Sequence, residues 1–120
     1  MKRILIIDDA QFMRFSLKAM LENNGFEVVG EAENGAIGVE LYKKYQPDLV
    51  TMDITMPEME GNTALKLIRE FDPQAKVVMI SAMGQESFVK EAIVLGAKSF
   101  IIKPFKEEHV IKTLNQTLAM

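Results

Sequence analysis

Four polar sites each stand at the tail of an apolar run. Asp8-Asp9 follow Ile4-Leu5-Ile6-Ile7, Asp53 follows Leu49-Val50-Thr51-Met52, Ser81 follows Val77-Val78-Met79-Ile80, and Lys103 follows Phe100-Ile101-Ile102. Adjacent carboxylates such as Asp8 and Asp9 repel each other, and a cation relieves that repulsion. Carboxylates without histidine or cysteine suit Mg²⁺, a hard ion that prefers oxygen, better than Zn²⁺. The single histidine, His109, lies outside the set, and the chain has no cysteine. A carboxylate is also a nucleophile toward phosphorus, giving an aspartyl phosphate. Such attack needs charge neutralisation on the phosphoryl oxygens, which a metal and a lysine supply. On this reading Asp8 and Asp9 hold metal, Asp53 accepts the phosphoryl group, Lys103 is a fixed cation and Ser81 hydrogen-bonds a phosphoryl oxygen.

Any one of these residues alone has a plainer explanation. An Asp after a strand is commonly a turn former or helix cap, as is a Ser in Ile80-Ser81-Ala82. A Lys there is commonly solvated surface. The coincidence carries the weight, because a parallel sheet gathers its C-terminal strand ends along one edge, where open α/β folds bind ligands.

The elements that must position these groups are legible from periodicity. Candidate strands are Arg3–Ile7, Glu27–Glu31, Leu49–Met52, Lys76–Ile80 and Lys98–Ile102. Their dense aliphatic content predicts burial on both faces, as in parallel sheets. Between them, Met13, Leu17, Met20 and Leu21 form one helical stripe, and Val110, Leu114 and Leu118 form another. Gly25 and Gly96 mark the ends of the first and fourth helices. Pro47 and Pro73 block continuation of the second and third. Asn34 is the expected N-cap of the second helix. The result is (βα)₅, a parallel sheet with helices on both faces and right-handed crossovers. Only the end of the second strand, near Glu31–Asn34, lacks the chemistry, and an edge strand lies farther from the site.

Bulk properties narrow the function classes. The chain has 120 residues, the size of one domain, with 48% hydrophobic and 26% charged residues. A net charge of −3 and a pI near 5.2 offer no basic excess for nucleic acid or an anionic membrane. No apolar run approaches the roughly 20 residues of a membrane span. Nor does the N-terminus read as a secretory signal, so cytoplasmic location is the expectation.

The chain resembles response-regulator receiver domains over essentially its whole length, residues 1–120 as one domain. The resemblance rests on Ile6-Ile7-Asp8-Asp9, Met52-Asp53-Ile54-Thr55-Met56-Pro57 with Gly61, Ser81-Ala82, and Lys103-Pro104-Phe105, in this order and spacing. Asp8-Asp9-Ala10-Gln11-Phe12-Met13-Arg14, Met52 to Met59 and Ser81-Ala82-Met83-Gly84-Gln85 are most similar to stand-alone chemotaxis regulators. The resemblance implies a flavodoxin-like, doubly wound sheet of order 2-1-3-4-5. It implies that Asp53 receives phosphate from a histidine kinase, with chemotaxis-type kinases expected. Asp9, Asp53 and the Thr55 backbone carbonyl would bind Mg²⁺, for which Mn²⁺ could substitute. Asp8 would act largely through a metal-bound water. The Lys103–Pro104 bond would be cis. The implied protein is a monomeric switch rather than an enzyme, promoting only its own phosphotransfer and self-dephosphorylation. Its targets would be the flagellar motor switch protein or another partner, with a phosphatase to reset it.

Within the resemblance, Ser81 matches a hydroxyl that moves toward the phosphate and Phe100 an aromatic that swings inward behind it. On residues alone, Phe100 reads as a buried strand aromatic. The expected output face contains Phe88, Val89, Ile93, Phe100 and Ile102, some of which must also serve the core. Phe15 lies about 180° from the first helix's apolar stripe at 100° per residue. That position suggests a second partner surface. Thr55 and Met83, two residues beyond Asp53 and Ser81, should set phosphate lifetime, with Met83 shielding the phosphoryl group.

Other readings remain open. A receiver excised from a longer regulator or phosphorelay protein would look the same, although the absent linker and complete fifth helix favour a stand-alone protein. A phosphatase forming an aspartyl phosphate would carry a second acid two residues past the nucleophile, where this chain has Thr55. A flavodoxin-like cofactor binder would need a phosphate loop after the first strand, where this chain has two acids.

Overall fold

The computed structural model describes residues 1–120. Strands and helices alternate as β1 (Arg3–Ile7), α1 (Gln11–Asn23), β2 (Glu27–Ala32), α2 (Gly35–Tyr45), β3 (Leu49–Asp53), α3 (Gly61–Phe71), β4 (Val77–Ser81), α4 (Glu86–Val94), β5 (Ser99–Ile102) and α5 (Glu107–Leu118). Every strand pair is parallel, and the order is β2-β1-β3-β4-β5, as the resemblance implied.

The sheet separates two apolar layers. One joins Leu17 and Leu21 of α1 to Val110 and Leu114 of α5 against Ile4, Ile6, Val78, Ile80 and Ile101. Met13, Met20 and Leu118 pack on its margin. The other joins α2, α3 and α4 through Val39, Tyr42, Leu65, Ile68 and Ala92 against Leu5, Ile7, Val50, Met52 and Met79. Alternate residues of each strand face opposite layers, which is the two-residue period of a strand. Asn34 caps α2 as expected, its side-chain oxygen accepting from the Ile37 N–H at 2.9 Å. Gly25 follows α1 with φ +84°, a conformation that favours glycine.

Two expectations need correction. Burial on both faces describes β1, β3 and β4, but not β2 or β5. Those two are the sheet edges. In β5 only Ile101 is buried, while Phe100 and Ile102 face outward. Apolar composition alone does not separate an edge strand with an uncovered face from a central one. The strand bounds also shift: β2, β3 and β4 each run one residue past the expected end, while β4 and β5 start one residue later. Asp53 and Ser81 are therefore the last ladder residues of their strands, paired in register with Ile80 and Ile102. The sheet fixes their backbones directly.

Candidate phosphoryl and metal site

The five singled-out polar residues converge at the C-terminal edge of the sheet. Asp8 directly follows β1, and its N–H donates to the Ala32 carbonyl at 3.0 Å. Its Oδ1 accepts from the Ala10 N–H at 2.9 Å, and its carbonyl accepts from Arg14 Nη1 at 2.6 Å. These bonds hold the Asp8 carboxylate inward and buried, whereas Asp9 is exposed. One carboxylate oxygen each from Asp8, Asp9 and Asp53 all lie within 4.8 Å of one another. Lys103 Nζ stands 3.5 Å from Asp53 Oδ1 and 3.8 Å from Asp8 Oδ2. The Lys103 N–H donates to the Ser81 carbonyl at 2.7 Å, extending the β4–β5 ladder one residue. The Lys103–Pro104 bond is cis.

One ammonium faces three carboxylates, and the imbalance shows in their acidities. Burial pushes the Asp53 carboxyl up to about 6, with the Asp8 charge adding to it and Lys103 only partly offsetting it. Burial likewise raises Asp8, against the lowering effects of the Ala10 N–H and Lys103. Asp8 Oδ2 is buried without a hydrogen-bond partner. A buried carboxylate oxygen that makes no hydrogen bond and faces only an ammonium at 3.8 Å is costly. An all-oxygen donor set with one such oxygen fits a hard divalent cation. The arrangement can therefore hold Mg²⁺ and, beside it, neutralise an anion bonded to Asp53.

One residue escaped the sequence reading. The Ala82 N–H donates to Gln85 Oε1 at 2.7 Å, and Gln85 Nε2 donates to Thr55 Oγ1, also at 2.7 Å. Gln85 thus spans the β3–α3 and β4–α4 loops. Gly84, immediately before it, has φ +89°, a conformation that favours glycine. Met83, expected to shield a phosphoryl group, is 80% exposed and lines the mouth of a groove that also reaches Ser81 and Lys103.

The expected output residues divide into two groups. Phe88, Ile93, Phe100 and Ile102 are exposed, while Val89 packs against the core and Ala92 belongs to it. Phe100 is 42% exposed, so it is not a buried strand aromatic here. An apolar groove of about 640 Å³ runs between α4 and β5 and reaches Ser81 and Lys103. Phe12 and Phe15 of α1 are exposed, Phe15 as its helical phase predicts. No helix is long and apolar enough to cross a membrane.

Comparison with known proteins agrees with this geometry. Residues 4–115 match the response regulator receiver domain. The chain is 62% identical to the chemotaxis protein CheY of Bacillus subtilis over 116 residues, 97% of each chain. It is 56% identical to CheY of Thermotoga maritima over 115 residues, 96% of each. Among solved structures, the CheX–CheY–BeF₃–Mg complex from Borrelia burgdorferi contains a chain that superposes with a TM-score of 0.92 at 40% identity, covering 96% of this chain and 87% of that one. The response regulator domain of Thermotoga maritima CheB superposes with a TM-score of 0.91 at 34% identity, covering 99% and 97%.

Proposed function

Because this chain belongs to the response regulator receiver family, we propose that it is a phosphoacceptor switch of chemotaxis signalling. The carrying observation is the placement of Lys103 Nζ 3.5 Å from an oxygen of buried Asp53, beside two further acids. A carboxylate nucleophile and a fixed cation at that distance suit an incoming phosphoryl group. An oxygen of Asp53 attacks phosphorus of a kinase phosphohistidine. The P–O bond forms as the P–N bond breaks, and the imidazole takes the electron pair and a proton. Lys103 neutralises phosphoryl oxygens, and Ser81 donates its hydroxyl to one of them. Asp8, Asp9, Asp53 and the Thr55 backbone carbonyl would hold Mg²⁺ or Mn²⁺. When bound, the ion supplies positive charge to the phosphoryl oxygens. Water later hydrolyses the acyl phosphate and releases inorganic phosphate, so the chain resets itself rather than turning over a metabolite.

The readout in this proposal is a population shift between two conformations. Ser81 and Phe100 are the moving residues, and the face bearing Phe88, Val89, Ile93, Phe100 and Ile102 meets a cytoplasmic partner such as the flagellar motor switch protein. The histidine kinase and any phosphatase dock as transient partners of a monomer. The decisive experiment incubates wild type and Asp53→Asn with acetyl phosphate, with and without Mg²⁺, and reads phosphoryl incorporation by intact mass. Incorporation only in wild type with Mg²⁺ supports the proposal; incorporation that ignores Asp53 or the metal overturns it. Capture of the flagellar motor switch protein by the phosphorylated form alone tests the partner.

A further inference from the structure

We propose that Gln85 is a positioning residue that latches the switch in its resting state by tying Ala82 to Thr55. Gln85 occupies the N-cap position of α4, yet its side chain caps no amide of that helix. Short polar side chains such as Ser, Thr, Asp and Asn ordinarily satisfy a helix's free N–H groups from this position, and the longer Gln85 does not. Here both ends of the amide are committed elsewhere, the oxygen to the Ala82 N–H and the nitrogen to the Thr55 hydroxyl. The two bonded residues flank the acceptor chemistry. Thr55 lies two positions after Asp53, and Ala82 directly follows Ser81.

The chain at Ser81 is therefore held on both sides. The Ser81 carbonyl accepts from the Lys103 N–H within the extended ladder. The next residue's N–H is held by Gln85. The Ala82 N–H is a single donor already given to Gln85, so turning it or Ser81 to a phosphoryl group on Asp53 requires that side-chain bond to yield before the ladder does. Ala82 and Thr55 are both exposed, so water replaces the lost partners and the latch is weak. A weak latch is what a reversible switch requires, since a strong one would exceed the energy the phosphoryl group can supply.

This inference rests on the reading of Asp53 as phosphoacceptor, and the test separates the two. The first measurement is amide hydrogen exchange at Ala82 in the metal-free protein, where Gln85→Ala should exchange faster than wild type. The second is titration with Mg²⁺ and fluoroberyllate, a phosphoryl mimic, followed by NMR. Gln85→Ala should bind the mimic about 5-fold tighter, the scale of one net hydrogen bond. Thr55→Val, which removes only the hydroxyl, should also tighten binding, and the double variant should gain no more than Gln85→Ala alone. Unchanged or weaker binding in a folded Gln85→Ala, or additive effects in the double variant, overturns the latch. Should Gln85→Ala fail to fold, unchanged binding in Thr55→Val does so instead. Absence of mimic binding in wild type, or equal binding by Asp53→Asn, overturns the phosphoacceptor reading itself.

Discussion

A Cβ placed on Gly61 would collide with the backbone carbonyl oxygen of Asp53. The Gly61 N–H also donates to the Ile54 carbonyl at 2.7 Å. The start of α3 therefore rests directly on the backbone of the acceptor. The obstacle is main chain, which cannot rotate away as a side chain can. We expect Gly61→Ala to cost about 1–3 kcal/mol of stability, as overpacking does. Phosphoryl uptake from acetyl phosphate should fall with it, because Asp53 is displaced from Lys103. Urea denaturation and the uptake rate check the two together.

The acidity of Asp53 makes the metal-free protein less stable as pH rises. The unfolded carboxyl loses its proton near pH 4 and the folded one at about 6. Between those values the folded chain holds a proton that the unfolded chain has lost, so stability declines through this window. The penalty is absent below about pH 4 and complete above about pH 6, on the order of 3 kcal/mol. Asp8, also raised, adds in the same direction. Asp53→Asn should therefore stabilise the metal-free protein near pH 7 and flatten the dependence. Denaturation curves at about pH 5 and 7.5 test this, and equal midpoints in wild type at both would contradict it.

Lys103 competes with any divalent cation for the same carboxylates. Lys103→Met should bind Mg²⁺ several-fold more tightly while losing about 10²-fold in phosphotransfer rate, the scale of removing one preorganised group at developing charge. Opposite signs for binding and rate distinguish this role from simple damage. Titration calorimetry with Mg²⁺ and single-turnover phosphorylation supply the two measurements.

Neighbouring residues of β5 should respond in opposite ways. Ile101→Ala opens a cavity in the core and should cost about 2–5 kcal/mol. Phe100→Ala trims a side chain already 42% exposed and should cost far less. If the outward face meets the partner, Phe100→Ala should instead weaken capture of the target. A thermal melt beside a pull-down resolves the pair.

Strand order, helix phases and the Asn34 cap were legible because each is written in local pattern or in resemblance. The convergence of Asp8, Asp9, Asp53, Ser81 and Lys103 followed from where apolar runs stop and how parallel sheets gather their ends. What escaped was set by tertiary position. β5 is as apolar as a central strand, and only the neighbour it lacks exposes it, whereas β2 carries two glutamates and a glycine that an expectation of uniform burial passes over. Gln85 was hidden for a related reason. Its bond to Thr55 crosses 30 residues, and no periodicity announces a side chain that turns away from its own helix.

The cation beside Asp53 and the outward-facing ring of Phe100 are three residues apart on one continuous extended segment. No turn or loop separates them, so little slack exists to absorb a shift at either end. Under the proposed function, reception and output share a single piece of backbone. Under that function, a substitution in this segment that suits a new partner should also change phosphoryl uptake.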